Sequence, residues 1–96
     1  MNEKRLIRYV RNSDKTPKGV LIAKVVNDNI IIGWSYCAKD DNFEKKLGRH
    51  IAEARIQKCG KSIVVPRKIY KELDWFVAKA KRAFGDKDVI VRGIMS

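Results

Sequence analysis

Cysteine and histidine are both scarce in this 96-residue chain, and each scarcity excludes something. Two cysteines, Cys37 and Cys59, do not make a disulfide scaffold in a chain so well supplied with aliphatic residues, and they point to a reducing cytoplasm. The single histidine, His50, stands thirteen residues after Cys37 and nine before Cys59, and no Cys-x-x-Cys pair exists, so no structural metal is expected. No apolar run reaches membrane-spanning length, and the opening residues, with Glu3, Lys4 and Arg5, are too charged for a secretory signal. The sequence also lacks a Gly-x-Ser-x-Gly elbow, a phosphate-cradling glycine loop and a Cys–His pair with a third orienting group. No catalytic residue and no cofactor is therefore expected.

What is present reads as one folded domain, residues 1–96. Hydrophobic residues make up 45% and charged residues 34%, enough of the first for a core and without the like-charge runs of a disordered chain. Twenty-two Lys and Arg face eleven Asp and Glu, a formal net charge of +11. Such an excess attracts polyanions: nucleic acid, an acidic membrane surface or an acidic protein. The excess is concentrated, because residues 45–82 hold twelve cations and three carboxylates (Glu53, Glu72, Asp74), a net +9.

The order of elements reads β-β-β-α-α-β. Strands are expected over 4–11, 19–26 and 30–37, with a polar Asn27-Asp28-Asn29 turn making a hairpin of the second and third. Alternation in the third strand places Ile30, Ile32, Trp34 and Tyr36 on one face and Ile31, Gly33, Ser35 and Cys37 on the other. The small residues of the second set suit a closely packed helix. Asp41-Asn42-Phe43-Glu44 resembles a capping box, so Asp40 and Asp41 serve a helix start, and Phe43, Leu47, Ile51 and Ala54 form the expected buried stripe. His50 falls beside that stripe, as a partly buried histidine, and Gly60 is the expected stop. Val65-Pro66 opens a second helix whose apolar stripe is Ile69, Leu73, Phe76, Val77, Ala80 and Phe84, ended by Gly85. A short strand over 88–94 closes the domain. The expected fold is α+β: a small antiparallel sheet with both helices packed on one face.

Candidate binding residues follow from the helical phase. Lys45, Lys46 and Arg49 point away from the first stripe, and Arg67, Lys68, Lys71, Lys79 and Arg82 line the outer side of the second helix. Trp75 falls among that second group, opposite Leu73, Phe76 and Ala80. Cations spaced to meet phosphates, with an aromatic ring to stack on bases, are what sequence-independent binding of DNA or RNA requires. A solvated outer face with Trp75 packed on a neighbour is the competing reading.

The run Gly33-Trp34-Ser35-x-Cys37-x-x-Asp40-x-x-Phe43-x-Lys45-Lys46-x-Gly48-Arg49-x-Ile51-Ala52-x-x-Arg55, followed by Val65-Pro66 and an aromatic, basic helix, resembles small proteins encoded by tailed bacteriophages. The resemblance covers about residues 19–85. It implies an origin, with the host cytoplasm as compartment, and transfers no site residues. Two functions remain open: a nucleic-acid binder, or an inhibitor or modulator of host machinery whose basic face docks an acidic host protein. Self-association is compatible with either, and a membrane partner is not expected.

Overall fold

A computed structural model of the chain describes residues 4–13, 15–37, 44–57 and 64–93. Three strands, β1 (Arg5–Arg11), β2 (Pro17–Val26) and β3 (Asn29–Tyr36), form a meander. Helix α1 (Lys45–Gln57) follows, then a 3-10 turn (Arg67–Ile69) that runs into α2 (Tyr70–Phe84), then β4 (Val89–Val91). The fold is α+β in the order the sequence indicates.

The β2–β3 hairpin closes tightly. Val26 pairs with Asn29, leaving Asn27 and Asp28 as the two loop residues, both at positive φ (50° and 65°). This is the type I′ turn, whose twist matches that of the strands and which Asn and Asp tolerate best. β1 pairs antiparallel with the far edge of β2, with a register shift between Val10 and Arg11.

Two features of the architecture differ from the sequence-based expectation. β4 lies parallel to β3, Ile30 opposite Val89 and Ile32 opposite Val91, so the four-stranded sheet is mixed and not wholly antiparallel. The helices also cover opposite faces of the sheet, not one. One core joins Leu21, Ala23, Ile30, Ile32 and Trp34 to Ile69, Leu73, Phe76 and Ala80 of the α2 side. The other joins Val20, Ile22 and Ile31 to Ala52 and Ile56 of α1. The reason lies in the central strands. Val20–Ala23 and Ile30–Ile32 are continuous apolar runs, which expose both faces unless each is covered.

α1 sits on the face that carries the small residues of β3. Its buried stripe is Gly48, Ala52 and Ile56, about one residue in phase from the stripe expected through Leu47, Ile51 and Ala54. Leu47 is 52% exposed, and His50, expected to be partly buried, is exposed. Close approach decides the phase. A Cβ on Gly33 would lie 2.0 Å from the Ala52 carbonyl oxygen, so helix and strand meet almost backbone to backbone. Ser35 is buried there and its Oγ donates to the Gly48 carbonyl at 2.9 Å. Asp40, the capping run Asp41 to Phe43 and the stop at Gly60 lie outside the described residues.

The α2 stripe is the one read from the sequence. Ile69, Leu73, Phe76 and Ala80 are buried, with Val77 and Phe84 packed against them. Pro66 precedes the 3-10 turn, and Gly85, at φ 96°, ends α2 with its N–H donating to the Lys81 carbonyl. At the far end of the sheet, the Arg92 guanidinium donates from Nε and Nη2 to the Ile56 carbonyl at 3.3 and 3.2 Å. That pair of hydrogen bonds satisfies an end carbonyl of α1 and ties the helix to the strand beside β3. No described helix is long and apolar enough to cross a membrane.

Candidate nucleic-acid interface

The nine residues marked by the sequence do not form one face. Lys46 and Arg49 are exposed on α1, on the opposite side of the sheet from Arg67, Lys68, Lys71, Trp75, Lys79 and Arg82, all exposed on the 3-10 turn and α2. Arg67 and Lys68 belong to the 3-10 turn, so they do not continue the α-helical phase. Lys45 does not point away from the sheet: its ammonium stands 5.0 Å over the ring of Tyr9 on β1. Lys46 and Arg49 line an open groove of about 510 Å³, together with Arg5, Leu47, His50 and Glu53.

One member of each helix reaches β1, an edge strand that the helical phases alone do not bring into the site: Lys45 through Tyr9 and Trp75 through Arg8. Successive side chains of a strand point to opposite faces. Tyr9 accordingly meets the α1 side, while Arg8 meets α2. The Arg8 guanidinium lies 4.1 Å from the centroid of Trp75, and its Nε donates to Glu72 Oε2 at 2.6 Å. Lys79 places its ammonium 4.9 Å from the same centroid. Interactions of this kind are worth about 0.5–1 kcal/mol each at exposed sites. One signal for β1 is present in the sequence: Arg8 sits between Leu6 and Val10 on the core-facing side of its strand, where a guanidinium needs a partner.

Trp75 is 46% exposed and Trp34 is 4% exposed, so the two indoles divide as their phases indicate. Trp34 packs in the α2-side core, its Nε1 donates to the Arg92 carbonyl, and Arg55 lies 4.2 Å over its ring. Arg55 also donates to the Trp34 carbonyl at 2.7 Å.

Two carboxylates temper the positive field beside β1. Glu72 holds Arg8. Glu53 on α1 accepts from Lys24 at 2.9 Å and from Arg5. Its carboxyl is held below the usual range chiefly by the Lys24 hydrogen bond, with the charges of Lys24 and Arg5 acting in the same direction against partial burial. Among the described residues no group of three or more His, Cys, Asp or Glu gathers where a metal ion would sit. No family model matches the sequence, and neither a curated protein nor a solved structure is detectably similar to it.

Proposed function

We propose that the protein is a non-catalytic binder of nucleic acid, DNA or RNA, which holds phosphates along the β1 edge and the outer side of α2 with little base specificity. The observation that carries this reading is the convergence on β1. Tyr9 meets Lys45 of α1 at 5.0 Å on one side, and Arg8, the preceding residue, meets Trp75 of α2 at 4.1 Å on the other. A strand edge is thin, so a polyanion crossing it reaches cations from both helices at once. The net charge of +11 supplies the long-range attraction. The resemblance to phage-encoded proteins extends the reading to a small phage protein acting in the host cytoplasm.

Titration with labelled duplex DNA, single-stranded DNA and RNA at several salt concentrations tests it. The expected log–log slope of affinity against salt is roughly −3 to −6, each neutralised phosphate contributing nearly one unit. The absence of binding to all three at about 50 mM salt, where phosphate binding is strong, overturns the reading. Equal binding of polyglutamate also overturns it, in favour of a basic clamp for an acidic protein.

A further inference from the structure

We propose that the Trp75 surface selects single-stranded over duplex nucleic acid by stacking an unpaired base on its indole. This inference rests on the nucleic-acid reading above and narrows it. Trp75 lies one helical turn from Lys71 on one side and from Lys79 on the other, and at 100° per residue Lys71, Trp75, Lys79 and Arg82 share one outer sector of α2. From Arg67 to Arg82 the cations run over roughly 24 Å, at about 2 Å per residue through the 3-10 turn and about 1.5 Å through α2. That length suits the short end of single-strand sites, about four nucleotides.

The ring is braced from β1. Glu72 accepts from Arg8 at 2.6 Å, and Arg8 packs 4.1 Å from the ring centroid, so the carboxylate fixes the arginine and the arginine supports the indole. Lys79 reaches the ring on a flexible stem, with its ammonium 4.9 Å from the centroid, and can exchange the ring for a phosphate without moving the helix. Trp75 as a whole is still 46% exposed.

The form of the ligand follows from what such a ring can meet. A duplex keeps its base faces within the stack and offers a helix phosphates, sugars and base edges, which gives an exposed indole no face to stack on. A single strand offers phosphates to Lys71, Lys79 and Arg82 and an open base face to Trp75. A protein partner would need an apolar surround, because hot-spot aromatics sit in pockets that exclude water. None of the other large exposed apolar residues (Ile7, Val25, Val26, Leu47, Val64, Ile90) lies on α2.

The test compares wild type, Trp75→Ala and Trp75→Phe against oligo(dT), oligo(U) and a duplex of equal length, each over a range of salt. Trp75→Ala should weaken both single strands by roughly five- to 150-fold, the worth of one stacked base. Duplex affinity should stay within about twofold and the salt slope should not change, because every phosphate-binding cation is still in place. Trp75→Phe should keep most of the single-strand affinity. In wild type, single strands should quench a share of tryptophan emission that Trp75→Phe lacks, a readout that stands even if Trp75→Ala folds poorly. Unchanged single-strand affinity in Trp75→Ala, equal losses on duplex and single strand, or emission unmoved by saturating oligonucleotide each overturn the stacking inference while the phosphate-binding reading stands. Failure of every nucleic acid to bind takes both down together. Equal losses on oligo(dT) and oligo(U) support stacking on the base face, and a loss confined to one of them overturns it, since both strands offer that face.

Discussion

The two faces of the sheet are covered in different ways. On the α2 side, large side chains interdigitate: Leu21, Ile30, Ile32 and Trp34 from the strands, Ile69, Leu73 and Phe76 from the helix side. On the α1 side, Val20, Ile22 and Ile31 pack against Ile56, but at Gly33 the helix backbone at Ala52 comes so close that no side chain fits between. The first face is sensitive to lost volume, and the second, at Gly33, to added volume. Both follow from close packing, which penalises cavities and overfilling alike.

That contrast is broken most sharply by opposite substitutions. Phe76, 1% exposed at the centre of the α2-side core, should cost about 3–5 kcal/mol as Phe76→Ala, the usual range for emptying a packed aromatic site. Gly33→Ala should cost about 1–3 kcal/mol by forcing α1 from the strand, since its Cβ would fall 2.0 Å from the Ala52 carbonyl. Urea unfolding monitored by circular dichroism checks both. If Gly33→Ala is neutral, α1 does not rest on the sheet as described.

The same contrast explains what is legible in the sequence. The α2 stripe is readable because Ile69, Leu73 and Phe76 are large and recur at helical spacing. The α1 stripe is not, because its buried positions are occupied by Gly48 and Ala52, which hydrophobic periodicity underweights, while Leu47 and Ile51 suggest the wrong phase. The small residues at Gly33 and Ser35 do announce a closely packed helix. The opposite placement of the helices is implicit in the unbroken apolar runs of β2 and β3, and the parallel β4 is not signalled by any local pattern. Within the candidate site, the exposure of Trp75 follows from its phase opposite Leu73 and Phe76. The position of Arg8 between Leu6 and Val10 hints that it needs a partner, but which partners Arg8 and Tyr9 meet depends on tertiary pairing, in one case between residues 64 positions apart.

A smaller effect separates the faces by pH. Glu53, held by Lys24 and Arg5 on the α1 side, titrates below its ordinary value of 4.5 in the folded protein. Its contribution to stability is therefore complete above the unfolded value and is lost as pH falls through the lower folded one. Glu53→Gln should cost under about 1 kcal/mol at pH 7, since the pair is partly exposed and screened. The difference from wild type should vanish in acid, below the ordinary carboxylate range. A difference that persists unchanged at about pH 3, where carboxylates are largely protonated, would show that Glu53 acts by packing and not by charge.

The central claim is that β1 joins cations from opposite faces of the sheet into one binding edge, and the salt dependence of binding in an Arg8→Gln, Lys45→Gln variant tests it most directly. Each phosphate left without its cation should remove nearly one unit of log–log slope, so the account predicts a slope shallower by about one to two units for every nucleic acid the protein binds. A slope and an affinity identical to wild type, with the fold intact, would contradict it and confine binding to the outer side of one helix.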